Sequence, residues 1–135
     1  MNKGSVEDRL EIRELIEQFA NAAMVINVEK WGDTWANEGT WNLPSFKTPV
    51  SGKANVIAAF AEKMAYVDYM SMISVPDSLQ IEGNKASCQT FCRELIYPKA
   101  GGRVIVVGYF DDEFIKEDGR WKFLSRFYTV MGKEL

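Results

Sequence analysis

Residues 85–131, KASCQTFCRELIYPKAGGRVIVVGYFDDEFIKEDGRWKFLSRFYTVM, decide the fold. Three long runs rich in β-branched and aromatic residues are separated by two turn signals. Lys85–Tyr97 turns back through Pro98–Gly102 into Arg103–Lys116, and Asp118-Gly119, a strong hairpin signal, leads into Arg120–Met131. Consecutive strands joined this way pair antiparallel. Alternation puts Cys88, Thr90, Cys92 and Glu94 on one face of the first strand, opposite Gln89, Phe91, Arg93 and Leu95. On the second, Val106, Gly108, Phe110 and Asp112 oppose Val107, Tyr109, Asp111 and Glu113. Parity alone leaves open which face is concave.

The chain upstream reads as helices. Ser5-Val6-Glu7-Asp8 is a variant capping box, with Asp where Glu or Gln is commoner. Ile12, Leu15, Ile16, Phe19, Ala20 and Ala23 then recur at three- and four-residue spacing, giving one apolar face that ends near Met24 or Asn27. A second short helix is expected over about Glu29–Trp35, stopped by Gly39, and Thr40–Pro44 reads as a short strand. Phe46–Ser51 reads as a loop, and a third helix is expected over about Ala54–Tyr66. Ser71–Glu82 is broken by Pro76 and is a bent or edge strand, turned by Gly83-Asn84. Helices followed by consecutive hairpins make an α+β domain, with three N-terminal helices packed on the concave face of a curved sheet. The strands are long enough to twist strongly, and such a sheet wrapped around a helix makes a cone with an open mouth.

The bulk numbers bound the function. A chain of 135 residues, 47% hydrophobic and 26% charged, is one ordinary domain spanning 1–135. Its net charge is −3, from 16 basic and 19 acidic residues, and no Lys/Arg cluster marks a nucleic-acid footprint. No apolar run approaches the ~20 residues of a membrane helix. The polar start Met1–Arg9 lacks a signal-peptide core, so a cytoplasmic location is expected. Cys88 and Cys92 are four apart in a strand, ~13 Å between Cα atoms, too far for a disulfide; they read as buried thiols. Asp111-Asp112-Glu113 splits between two strand faces and is a poor metal site. Gly101-Gly102 opens no helix and is not a phosphate loop. Neither metal nor cofactor is expected. There is no histidine, so any proton transfer falls to Asp, Glu, Tyr, Lys or Cys.

Three stretches carry a resemblance to a known family. They are Asp8–Ile16 in the opening helix, Ser51–Ile57 leading into the third helix, and the closing hairpin Gly108–Phe114 with Asp118–Phe123 and Arg126. In order and spacing they resemble the SnoaL-like proteins, in the superfamily of nuclear transport factor two, scytalone dehydratase and ketosteroid isomerase. The resemblance covers nearly the whole chain. It implies a pocket between the concave sheet and the helices, lyase, isomerase or dehydratase chemistry on hydrophobic or aromatic carbonyl compounds, and a homodimer or trimer. In catalytic relatives an Asp late in the first helix pairs with a His after the third. Here those positions fall near Met24 and Met72, and a thioether moves no proton. The dyad is absent.

The remaining candidates are as follows. Asp112 and Glu94 are the carboxylates that an apolar cone would turn into acid/base groups, and Tyr109 or Tyr128 would donate to a carbonyl oxygen. Arg126, in an aromatic stretch, needs a partner: Glu94, Asp112 or a ligand anion. Alternation sets Arg126 and Tyr128 against Trp121 and Phe123 unless a bulge intervenes. Trp35, Trp41 and Phe60 have the bulk to stack on a flat ligand or to fill core. Phe110, Met24 and Met72, with Met64 and Met70, would line the wall. The partner expected is a small apolar or aromatic molecule. Three functions remain open: a lyase or isomerase with a histidine-free site, a non-catalytic binding protein, and an oligomerisation module with a vestigial cavity.

Overall fold

A computed structural model describes residues 4–135. Helix α1 (Val6–Met24) is followed by α2 (Val28–Gly32), β1 (Trp35–Asn42), β2 (Val50–Ser51) and α3 (Lys53–Met64). Four long strands close the chain: β3 (Val67–Glu82), β4 (Lys85–Pro98), β5 (Val104–Glu117) and β6 (Arg120–Glu134). They form one six-stranded sheet in the order β2-β1-β6-β5-β4-β3. Strand β1 runs parallel to β6, and every other pair is antiparallel. The three helices pack against the concave face of this unclosed, curved sheet, as expected for the α+β cone.

The Ser5 Oγ accepts from the Asp8 backbone N–H at 3.0 Å and starts α1. Asp8 spends its carboxylate elsewhere. It accepts from Trp121 Nε1 at 2.9 Å and Lys116 Nζ at 3.2 Å, and the Trp121 bond leads in holding its carboxyl below the usual range. Glu11 accepts from the Trp121 backbone N–H at 2.6 Å. These bonds pin α1 to the β5–β6 hairpin. The apolar face of α1 then buries Ile12, Ile16, Phe19 and Ala23 against the sheet. Each large side chain so removed from water is worth roughly 1.5–3 kcal/mol.

Helix α2 is shorter than its sequence suggests. Thr34 Oγ1 bonds back to the Trp31 carbonyl at 2.7 Å, and the Thr34 carbonyl accepts from Phe123 N at 2.8 Å. The chain is thus handed to β6, and Trp35 pairs with Phe123 in the sheet. Gly39 stops no helix. It lies within β1, where a Cβ would come within 2.7 Å of the Trp35 ring; the glycine makes room for that indole. The expected loop before α3 contains the two-residue β2. Strand β3 is continuous through Pro76 because it is the sheet edge, where a missing N–H costs no ladder bond. It bends at Ser78, which has φ 59°, beside a register shift between Asp77 and Gln80.

A bulge interrupts the alternation in β6. Phe114 pairs with Phe123 but Glu113 pairs with Ser125, leaving Leu124 as an extra residue. Trp121, Phe123, Arg126 and Tyr128 therefore all turn their side chains to the buried, concave face. The faces of β4 and β5 are also settled. Cys88, Thr90, Cys92, Phe110, Asp112 and Phe114 are buried under the helices, while Phe91 and Val107 lie exposed on the convex side.

Candidate functional site

A cavity of about 480 Å³ lies between the concave sheet and the helices. Helix α1 supplies Phe19 and Ala23, α2 supplies Trp31, and α3 supplies Phe60, Lys63 and Met64. The Leu43–Ser45 loop and Trp41 close one side. The sheet contributes a row in register across four strands: Met72 beside Glu94, Glu94 beside Val106, and Val106 beside Lys133. The volume is in the range of small-molecule sites, and the wall is mostly apolar with a few polar groups. A shallow groove of about 540 Å³ on the convex face is lined by Gln89, Asp111, Glu113 and Ser125. Those groups bond to one another, Gln89 Nε2 to Asp111 at 3.0 Å and Ser125 Oγ to Glu113 at 2.9 Å, so the cavity under the helices is the candidate site.

Of the sequence candidates, Glu94, Tyr128, Trp41, Phe60, Met64, Met70 and Met72 line this cavity. Glu94 makes no hydrogen bond with any described residue. Burial pushes its carboxyl above the ordinary glutamate range, against the pull of Arg126 and Lys63. Tyr128 Oη is buried without a partner among the described residues. Burial, with the negative charge of Glu94 and Cys92, drives its phenol far upward, so it stays a donor. Gly108 fixes that ring. A Cβ at Gly108 would sit 2.6 Å from Tyr128 Cζ and Oη, so only glycine lets the phenol lie against β5.

Asp112, Arg126, Phe110, Tyr109 and Met24 do not line the cavity. Asp112 accepts from Arg126 Nε at 2.7 Å, Arg126 Nη2 at 3.0 Å and Thr90 Oγ1 at 2.6 Å. Both charged side chains are wholly buried. Burial raises the Asp112 pKa, and the guanidinium and the Thr90 hydroxyl work against it. With three donors on it and no access to the cavity, Asp112 is not free to serve as the acid/base group expected of it. The partner of Arg126 is accordingly Asp112 and not a ligand anion. Its guanidinium lies 3.9 Å from the Phe110 ring centroid and 4.3 Å from those of Phe19 and Phe123. Phe110 is thus part of the packing around an ion pair. Tyr109 stands on the convex face, 5.4 Å from the Phe91 ring, and cannot polarise anything in the cone. Met24 packs partly buried against the core.

Other lining residues were not singled out beforehand. Trp31 stacks on Phe60 at 3.9 Å and 5°, so Phe60 is already covered on one face. Trp35 is fully buried and does not line this cavity. The Nε1 atoms of Trp31 and Trp41 are buried without partners among the described residues. Lys63 and Lys133 reach the cavity from the ends of α3 and β6, where nothing in the local sequence marks them. The thiols of Cys88 and Cys92 are free and buried, and burial pushes each up to about 11.

The sequence pattern of the SnoaL-like domain family matches residues 4–126. No curated protein matches the chain. Among solved structures, a proposed aromatic ring hydroxylase from Novosphingobium aromaticivorans superposes with a TM-score of 0.88 at 21% identity, covering 96% of this chain and 93% of the other. A proposed scytalone dehydratase from Novosphingobium aromaticivorans gives 0.87 at 13% identity, covering 96% and 87%. A type 2 hexachlorocyclohexane dehydrochlorinase, LinA, gives 0.85 at 12% identity, covering 96% and 88%. At these identities the likeness is one of fold, and the chemistries attached to it differ.

Proposed function

This chain belongs to the SnoaL-like domain family, within the nuclear transport factor two-like superfamily, and on that premise we propose that it is a cofactor-free lyase or isomerase for a small hydrophobic or aromatic carbonyl compound. One observation carries the reading: a carboxyl and a phenol, Glu94 and Tyr128, line the same apolar cavity, and neither has a hydrogen-bond partner among the described residues. A buried donor left unpaired costs about 1–3 kcal/mol, so a ligand oxygen that accepts from Tyr128 recovers that cost on binding. Glu94 lies directly across the β3–β4 ladder from Met72, the position where catalytic relatives are expected to carry their histidine. A carboxylate held above its ordinary pKa is a usable base toward a carbon acid next to a carbonyl, and the conjugate acid returns the proton to the product. Tyr128 stabilises the oxygen charge that develops between these steps.

The test is a panel of aromatic ketones that carry a C–H next to the carbonyl, followed by proton–deuterium exchange at that carbon. The wild type is expected to exchange, Glu94→Gln to bind but lose exchange by about 10²-fold or more, and Tyr128→Phe to lose part of it. Exchange that persists in Glu94→Gln would sink the assignment. The methionines near the dyad positions favour a second reading, that the cavity holds its ligand without chemistry. Binding without exchange in the wild type is the result that selects it.

The convex face supports a further proposal, a homodimer. Val75, Phe91 and Tyr109 lie side by side across three strands, flanked by Ile73 and Val107, which are 58% and 41% exposed. Light scattering should give twice the monomer mass, and Phe91→Lys should give a monomer. A wild-type monomer at micromolar concentration overturns this.

A further inference from the structure

The cavity mouth carries an unbalanced positive charge. The ionisable side chains that line the cavity, besides its tyrosines, are Glu94, Lys63 and Lys133. Among the described residues the ion pairs are Asp8–Lys116 and Asp112–Arg126, so neither lining lysine has a carboxylate within salt-bridge distance. The Lys63 ammonium is held in place, bonded to Ser45 Oγ at 3.3 Å and 5.3 Å from the Phe46 ring centroid. Lys133 is in register with Val106 and so two strands from Glu94, ~10 Å along the sheet. Glu94 is the one carboxyl that lines the cavity, and it forms an ion pair with neither lysine. In a chain of net charge −3, two such lysines facing one apolar cavity run against the overall balance.

We propose that the cavity's occupant is an organic acid: an apolar or aromatic body that fills the cone and a carboxylate held at the mouth by Lys63 and Lys133. This rests on the cavity being a small-molecule site, as argued above, and names the class of molecule it takes. An anion at the mouth stays partly hydrated, so it avoids the desolvation a carboxylate would suffer deeper in the cone. It also orients the ligand, with its uncharged end toward Tyr128.

The experiment is isothermal titration calorimetry with 2-naphthoate and 2-naphthamide, which share one apolar body and differ in charge. Wild-type protein should bind the acid roughly three- to tenfold tighter at low salt, the range two partly hydrated ion pairs supply. The difference should shrink as salt screens the pairs. In the double variant Lys63→Met/Lys133→Met the acid should lose its advantage over the amide, and a thermal melt close to that of the wild type reports that the fold is intact. Equal affinity of the wild type for acid and amide overturns the organic-acid inference while leaving the cavity reading standing. Binding of neither compound overturns both.

Discussion

Breaking the Asp112–Arg126 pair should be among the most damaging changes available to this chain, and replacing the whole cluster should not be. Arg126→Met leaves the Asp112 carboxylate wholly buried with only the 2.6 Å Thr90 hydroxyl bond. Loss of one partner of a buried pair costs about 3–5 kcal/mol, a large part of the 5–15 kcal/mol that typically stabilises a domain. Asp112→Leu alone leaves the cation enclosed by Phe19, Phe110 and Phe123 and should cost a similar amount. The double variant removes both charges but leaves the buried Thr90 hydroxyl without its acceptor, about 1–3 kcal/mol. Adding Thr90→Val should bring the protein within about 1–2 kcal/mol of wild type, as replacing buried ion pairs with apolar groups often does. Urea unfolding followed by tryptophan fluorescence reads these differences as midpoint shifts at constant m. The double should fall short of the sum of the singles by about 2 kcal/mol or more. In Arg126→Met the folded Asp112 pKa lies above its unfolded value near 3.8. Its deficit should therefore be absent below that pH and develop as pH rises. Additive singles, or singles costing under about 1 kcal/mol, would refute the description of a sealed, mutually dependent pair.

Three further outcomes are expected. Gly108→Ala would place a Cβ 2.3 Å from the Thr129 carbonyl oxygen, a backbone atom that cannot swing aside. It should cost about 1–3 kcal/mol in a thermal melt and abolish naphthamide binding by displacing Tyr128. Because the folded Glu94 pKa is raised from 4.5, the folded state holds that proton longer than the unfolded one. Stability from this group is therefore present below pH 4.5 and lost as pH rises through the folded value; Glu94→Gln should match wild type at pH 4 and melt higher at pH 8. Finally, Cys88 and Cys92, pushed up to about 11 by burial, should resist a disulfide reagent at pH 8 in the native state and both react once the protein is unfolded.

The sheet was legible because its signals are local. Asp118-Gly119 and the alternating runs on either side specify the closing hairpin without reference to the rest of the chain. The α1 face was equally plain. The end of α2 was not, since Thr34 leaves the helix to pair with Phe123, 89 residues away. The site was only partly readable. Parity grouped Glu94 with Cys88 on one strand and Asp112 with Phe110 on the next, but it left open which face is concave and carries no information on depth. Asp112 lies under Phe19 and Phe110 with Arg126, while Glu94, three β4 residue pairs nearer the mouth, opens to the cavity. Tyr109 and Tyr128 looked equivalent until the Leu124 bulge and the Gly108 gap placed one outside and one within. Lys63 and Lys133 became site residues only when the ends of α3 and β6 met around the same opening.

The most direct measurement is the titration of Glu94 itself, read from the carboxyl carbon shift in protein labelled with ¹³C at the glutamate side chains. The signal that disappears in Glu94→Gln should titrate with a midpoint above 4.5, and move again when 2-naphthamide binds. A Glu94 that titrates at or below 4.5, unmoved by ligand, would contradict a desolvated carboxyl facing the cavity and with it the assignment of proton transfer to this residue.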